Sequence, residues 1–414
     1  MKKYKVKPQN SYYQYKVHKM WTKRILTLVV AFCIIGMGAV IANKKDKAVL
    51  ALPKLMPPSF LTKEEVVEPV YLSNTEIKYD LYKAPKIVRG IYIPASKLAQ
   101  YEEYIALAKK TQVNAFVIDI KGDYGYLTFA SHNSKLREMG CVLENPPIEN
   151  LQKVMTRLYE EDVYPIARIV AFKDNIATAT HPELAMQAVN GEVYTNSVGD
   201  TWLNPYDKRN WDYLLEICKE AIGSGFKEIQ FDYVRFHESM DEERVKLEPN
   251  KTKSQIITEF VKYMHEELEP YGVYVSADVF GTIITSQVDA EIVGQDFKEL
   301  CKYLDYICPM VYPSHYGKGC FGIEYPHLAP YDIILRSMEV AQDEINKNER
   351  QDRKAIIRPW LQDFTMGKQK PYQPYGEKQI KDQIRGAYDA GLSEWLFWNA
   401  AGNYTDEGLI LDKE

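Results

Sequence analysis

Eight short runs rich in β-branched and aromatic residues recur along this chain at a nearly even pitch, and that repetition constrains the fold more than any other feature. They fall at 87–95, 115–121, 164–171, 228–236, 274–282, 304–312, 355–362 and 394–401. The mean step is about 44 residues, enough for a strand, a loop, a helix and a return loop. The stretches between the runs have helical spacing. Tyr101, Tyr104, Ile105 and Ala108 fall at i, i+3, i+4 and i+7, and Trp211, Leu214, Leu215, Cys218 and Ile222 repeat the pattern before Gly223 and Gly225. An α/β chain of eight such units predicts a single (β/α)8 TIM barrel over 84–414. The rival, a doubly wound open sheet, usually places a glycine-rich phosphate turn after its first strand, and Ile93-Pro94-Ala95-Ser96 is not one.

The N-terminal part has a different texture. Residues 1–24 form a basic tail with eight Lys or Arg and no acid, which leaves 44 basic against 57 acidic residues elsewhere. So acidic a body argues against a nucleic-acid partner, whose phosphates need a basic face. The tail precedes 25–42, eighteen residues without a charge, long enough to span a bilayer as a helix. Basic residues ahead of an apolar span favour a cytoplasmic N-terminus. The reading is a single-pass membrane anchor at 25–42, with a stalk or linker over 43–83 that carries Pro53, Pro57, Pro58 and Pro69. A cleaved signal peptide ending near Ala42, leaving a secreted protein, is the alternative. Cys141, Cys218, Cys301, Cys308 and Cys320 show no CxxC spacing, and they read as buried thiols rather than as a metal site or disulfide framework.

Strand alternation then sorts the candidate site. In a barrel alternate residues point inward, and active sites lie at the C-terminal ends of the strands. In the fourth run Ile229, Phe231 and Tyr233 make the helix-facing set, which turns Gln230, Asp232 and Val234 inward. In the fifth, Ser276, Asp278 and Phe280 turn inward. The same rule gives Asp119 and Lys121 from the second, Arg168 from the third, Arg358, Trp360 and Gln362 from the seventh, and Asn399 from the eighth. Charges on an inner face are expensive unless they pair or do work. A structural ion pair of Asp119 with Arg168 and an active site are both open for single residues. Clustering of the whole set at one mouth favours the active site.

Asp232 and Asp278 stand out because consecutive strands bring their backbones to about 5 Å. Carboxyl groups about 5 Å apart suit a retaining glycosidase, and a gap of about 6.5–9.5 Å suits an inverting one. Asp232 is the expected nucleophile or transition-state stabiliser, and Arg235 just beyond it is the expected cation that keeps it ionised. Asp278 is the expected acid/base, with Glu238 in reserve. Aromatic and amide groups on the loops supply the materials of a carbohydrate cleft: Trp202 and Asn204, Tyr312 and His315, Trp360, and Trp398 with Asn399. Asp119, Lys121, Arg168, Arg235 and Gln362 complete the expected substrate-binding set. No cofactor and no metal are implied.

Several of these stretches carry a family resemblance. Gly90-Ile91-Tyr92, Asn114 through Gly125, Trp202-Leu203-Asn204-Pro205-Tyr206, Gln230-Phe231-Asp232-Tyr233-Val234-Arg235-Phe236, Ser276-Ala277-Asp278-Val279-Phe280-Gly281 and Pro309-Met310-Val311-Tyr312-Pro313-Ser314-His315-Tyr316 resemble the bacterial putative glycoside hydrolase domain family. The resemblance covers about 85–404. It implies a TIM barrel distantly similar to the alpha-amylase and alpha-galactosidase kind, and carbohydrate chemistry. In amylase-type barrels a nucleophilic Asp ends the fourth strand and an acid ends the fifth, places that Asp232 and Asp278 match. The chain departs from that pattern at Gln230, where the amylases carry Arg, and at Asp278, where they usually carry Glu.

Three functions compete. The first is a membrane-anchored glycoside hydrolase acting outside the cell on a cell-envelope or extracellular polysaccharide. The second is a non-catalytic carbohydrate-binding or scaffold protein on the same barrel. The third, a metal-dependent hydrolase using Asp119, Asp232 and Asp278, lacks the His ligands that usually complete such a site.

Overall fold

The computed structural model describes residues 84–347 and 355–410. Within them the β-rich runs become β1 (Arg89–Ile93), β2 (Ala115–Lys121), β3 (Tyr164–Val170), β4 (Glu228–Asp232), β5 (Tyr274–Phe280), β6 (Tyr306–Met310), β7 (Ile356–Ile357), β8 (Trp360–Gln362) and β9 (Trp395–Trp398). All neighbours pair in parallel in the order β5-β4-β3-β2-β1-β9-β8-β6-β7, and β5 pairs with β6, which closes the ring. β7 and β8 are two halves of one stave. Both lie against β6, Ile356 beside Tyr306 and Trp360 beside Met310, and Pro359 between them has no N–H to give the ladder. The result is a closed barrel of eight parallel staves.

Helices cover the outside: α1 (Tyr101–Ala108), α2 (Leu151–Glu160), α3 (Lys208–Gly223), α4 (Lys253–Leu268), the short pair α5 (Gln287–Val293) and α6 (Phe297–Leu300), α7 (Pro330–Asn346) and α8 (Glu377–Asp389). Their starts are chemically marked. The Asp207 side chain accepts from the Arg209 N–H to open α3, and Thr252 with Gln255 forms a reciprocal cap on α4. The apolar stripe expected on α3 is the buried one, with Trp211, Leu214, Leu215 and Cys218 turned to the sheet. Phe116, Ile118, Ile120, Ile229, Phe231, Val275, Ala277 and Val279 face this helix layer in one large core. A smaller apolar set, including Val117, Ile166, Cys308, Trp360 and Leu396, fills the barrel itself.

The N-terminal end of the barrel is sealed by charge. Arg358 donates from Nη1 to Glu228 Oε1 at 2.8 Å and from Nε to Glu394 Oε2 at 2.8 Å. Ser276 Oγ adds a bond to Glu228 Oε1 at 2.7 Å, and the guanidinium lies over the Tyr306 ring at 3.7 Å. Burial is what makes this pairing obligatory, because either carboxylate alone would be desolvated without compensation.

Three expectations from alternation fail, each for a local reason. Lys121 does not enter the barrel. The ladder slips between Asp119 and Lys121, so that Lys121 pairs with outward-facing Ile169, and its ammonium is buried at 2.9 Å from Asp174. A bulge of this kind adds one residue and reverses the facing of the residues beyond it. The fourth strand ends at Asp232, because Tyr233 takes a left-handed φ of 52°. Val234 consequently joins the outer core rather than the barrel interior. In β9, Leu396 belongs to the interior set and Trp398 packs on it, so Asn399 has the opposite parity. Its amide holds the Asp363 carbonyl at 2.5 Å and its Oδ1 accepts from the Ala401 N–H. The basic tail, the 25–42 segment and the 43–83 stalk lie outside the described residues. Among those described, no helix is long and apolar enough to cross a membrane. Cys141, Cys218, Cys301, Cys308 and Cys320 are buried free thiols.

Candidate active site

At the C-terminal mouth three carboxylates, from two strand ends and one loop, surround one guanidinium. Arg168, near the end of β3, donates from Nη1 to Asp119 Oδ1 at 2.6 Å on β2, and from Nε and Nη2 to Asp232 Oδ2 at 3.1 and 2.6 Å on β4. Its Nη2 also reaches Asp123 Oδ1 at 2.9 Å, on the loop after β2. The other side of the guanidinium is aromatic. Its carbon lies 5.4 Å from the Trp398 ring centre and 5.6 Å from that of Tyr92, and those two rings stack at 4.1 Å. Tyr92 also donates its hydroxyl to Asp119 Oδ2 at 2.6 Å.

The turn at Tyr233 is part of this machinery. Its left-handed backbone brings the Tyr233 N–H onto Asp232 Oδ1 at 2.6 Å, so both oxygens of Asp232 are held. A non-glycine residue in that region carries strain, and such outliers collect at functional sites. The Tyr233 hydroxyl reaches Asp123 Oδ2 at 3.3 Å.

Asp278 lies on the next strand, and the register that sets Phe231 beside Ala277 sets it next to Asp232. Its surroundings differ. Where Asp232 accepts from a guanidinium, Asp278 accepts from a neutral indole: Trp360 donates from Nε1 to its Oδ1 at 2.6 Å. Burial pushes its carboxyl well above the usual range, and the neighbouring Asp232 charge adds to the rise. Burial likewise raises Asp119, against the pull of Arg168. Asp123 goes the other way. Burial alone would raise it, but the Arg168 guanidinium and its hydrogen bonds outweigh that and hold it below the usual range. The mouth thus combines an ion-paired carboxylate, Asp232, with a neighbour that resists ionisation, Asp278. Two carboxyl groups in opposed environments are the arrangement that splits acid from base or nucleophile.

The remaining expected residues divide. Trp360, Trp398 and Tyr312 belong to the interior set at this mouth. Arg235 is not the cation on Asp232; that role falls to Arg168. Arg235 instead donates to Glu238 Oε2 at 2.9 Å and to the Phe236 carbonyl at 3.0 Å, under the rings of Phe280, Tyr233 and Trp202. Trp202 is buried in that aromatic cluster. His315 sits against the rings of Tyr312 and Phe364. Two amides brace loops. Asn204 accepts from the Tyr206 N–H, and Gln362 accepts from the Ser314 N–H while donating to the Phe364 carbonyl. Among the described residues no group of three or more His, Cys, Asp or Glu is placed to hold a metal ion.

Sequence reasoning left Tyr92, Asp123 and Tyr233 out of the site. Tyr92 was legible, since Ile91 and Ile93 fix its parity. Asp123 and Tyr233 were not, because both follow irregular backbone where alternation stops.

An eight-stave parallel barrel with a carboxylate-lined mouth is an architecture of glycoside hydrolases. Residues 90–404 match the family described as "Putative glycosyl hydrolase domain", and the chain belongs to that family. Among solved structures it is similar to the PgaB (BpsB) glycoside hydrolase domain from Bordetella bronchiseptica, with 13% identity over 79% of this chain and 100% of that one, at a TM-score of 0.57. A hypothetical protein from Ruminiclostridium thermocellum ATCC 27405 shares 38% identity over 46% of this chain and 97% of its own, at a TM-score of 0.42. The alpha-L-fucosidase isoenzyme 2 from Paenibacillus thiaminolyticus shares 13% identity over 78% of this chain and 48% of its own, at a TM-score of 0.49. No curated protein matches the chain.

Proposed function

We propose that this protein is a glycoside hydrolase, anchored in the membrane through 25–42, whose barrel acts outside the cell on a cell-envelope or extracellular polysaccharide. The observation that carries the catalytic reading is the contrast between Asp232 and Asp278 on adjacent strand ends. Asp232, fixed by Arg168 and the Tyr233 N–H, attacks the anomeric carbon as the glycosidic C–O bond breaks. Asp278, whose proton is retained by burial, delivers it to the departing oxygen. Water then releases the sugar from Asp232, with its proton returning to Asp278. Trp398, stacked on the buried Tyr92 ring and itself only half-buried, offers a ring face beside the reacting centre, where a sugar ring stacks.

Asp232→Asn tests this. The amide replaces the carboxylate at constant volume, so sugar release should fall by about 10⁴-fold or more with the fold intact. Oligosaccharide binding without cleavage by the wild type would favour the scaffold reading, and near-wild-type cleavage by the variant would remove Asp232 from the mechanism. The topology has its own check. Protease added to intact protoplasts should remove the barrel and spare the tail, whereas a barrel digested only after lysis reverses the orientation.

A further inference from the structure

Beyond β2 and β3 the rim of the mouth is built from two short turns. The first, 122–126, is a tight hairpin in which the Gly122 N–H donates to the Tyr126 carbonyl at 3.0 Å. Gly125, at a φ of 115°, lies so close to Asp174 that a Cβ would collide with its carboxylate. Asp174 is itself buried against Lys121, so the hairpin stands on a sealed ion pair. The second turn, 196–200, is closed by Asn196, whose Oδ1 accepts from the N–H groups of Val198 and Asp200 at 3.0 and 2.9 Å. Asn175 joins the two turns. Its N–H donates to the Tyr124 carbonyl at 3.1 Å, its Nδ2 donates to Asp200 Oδ1 at 3.2 Å, and its Oδ1 accepts from the Thr201 N–H at 2.7 Å. Asp200 in turn pairs with Lys173 at 3.3 Å, and that ammonium lies 5.2 Å from the centre of the Tyr233 ring. Short contacts thus tie the rim to the residues around Asp232.

From this braced rim Tyr124 projects with 60% of its surface exposed. It directly follows Asp123, which binds Arg168 at 2.9 Å yet keeps half of its side chain in solvent. The Tyr124 ring is steadied by Tyr126, with centres 5.9 Å apart and planes 25° from parallel. A lone exposed ring is ordinary. A ring on a loop pinned from both sides, next to a solvent-facing carboxylate, has little freedom left to lose on binding. The chemistry suits a sugar, with a flat face for its C–H groups and a carboxylate for its hydroxyls. The strand order β9-β1-β2 also sets Tyr124 on the arc of the mouth that starts at Trp398. We propose that Tyr124 is the platform of a second sugar subsite, on which the unit flanking the one held over Asp232 stacks while Asp123 accepts from its hydroxyls. The inference rests on the glycosidase reading and narrows it to sugar chains rather than single-sugar glycosides.

The test uses length ladders, from single sugars to hexamers, of chitin, cellulose, amylose and peptidoglycan glycan strands. Each is titrated by calorimetry into the full-length Asp232→Asn protein and digested with the wild type. In the ladder that is recognised, affinity and kcat/KM should climb by about tenfold once the chain is long enough to reach Tyr124. Tyr124→Ala should remove most of that climb, as a higher KM for the long substrates rather than a lower kcat, and Tyr124→Trp should restore it. Tyr271→Ala, at an exposed tyrosine just ahead of β5 and so at the opposite end of the barrel, should leave the climb in place. The thermal transition of each variant shows that it is folded. No climb with length, or a climb untouched in folded Tyr124→Ala, overturns the platform, leaves the rim to a different partner and leaves the hydrolase standing. A climb in binding that depends on Tyr124 without any cleavage by the wild type keeps the platform and overturns the hydrolase. No binding and no cleavage on any ladder overturns both.

Discussion

The two ends of the barrel each hold a buried arginine between carboxylates, and the resemblance stops there. At the N-terminal end Arg358 faces Glu228 and Glu394, and its side chain has no exposure at all. At the mouth Arg168 faces Asp119, Asp232 and Asp123, the last with half of its side chain in solvent. The lower cluster has one cation for two anions under a closed floor. The upper has one cation for three, beside a fourth carboxyl that burial keeps from ionising. Charge that is paired and sealed can only hold staves together. Charge in excess, at an open end, is available to a substrate.

Truncating the two arginines should separate these roles. Arg358→Met leaves Glu228 and Glu394 buried and uncompensated, and should cost about 3–5 kcal/mol of stability, read by urea unfolding, while the surviving folded protein keeps its turnover. Arg168→Met should cost less stability, because Asp123 already stands half in solvent and Asp119 and Asp232 keep a little exposure that Glu228 lacks, but should abolish sugar release by freeing Asp232 from its position. Equal losses of stability at both ends would erase the distinction between floor and mouth.

The pH dependence sharpens the comparison within the mouth. The folded-state pKa of Asp278 is raised, so its contribution to stability is fully present below the unfolded value of about 4 and is lost as pH climbs towards the folded value. Asn at 278 escapes that loss and still accepts from Trp360. Asp278→Asn should therefore match the wild type near pH 4 and become the more stable protein at pH 8, with hydrolysis of poor leaving groups falling far more than that of activated aryl glycosides. A stability difference constant with pH would refute the buried, protonated carboxyl. The smallest effect is expected at Tyr92. Tyr92→Phe removes a 2.6 Å bond to Asp119 but leaves the ring stacked on Trp398, and should cost about 1–2 kcal/mol of stability with only a severalfold drop in turnover.

Within the strands, alternation made much of this legible. Asp119, Arg168, Asp278, Arg358 and Trp360 face inward as the neighbouring apolar residues require, because one face must meet the helices. Legibility ended where the backbone left the strand. Lys121 follows a bulge, Asn399 follows the end of β9, and Tyr233 turns left-handed, so the residue count no longer reports the face. The cation assigned to Asp232 was mistaken for a related reason. Arg235 is near in sequence, but Arg168 is near in space, one stave away.

The eightfold βα repeat, the amphipathic helix faces, the inward strand carboxylates and the apolar segment ahead of the body can be read from the residues alone, since each is a periodicity or composition that local chemistry enforces. Which carboxylate shares which arginine, and that Asp278 is walled off while Asp232 is ion-paired, are set by the closed barrel. Those properties depend on distances between staves and on the exclusion of water, and both arise when the barrel closes.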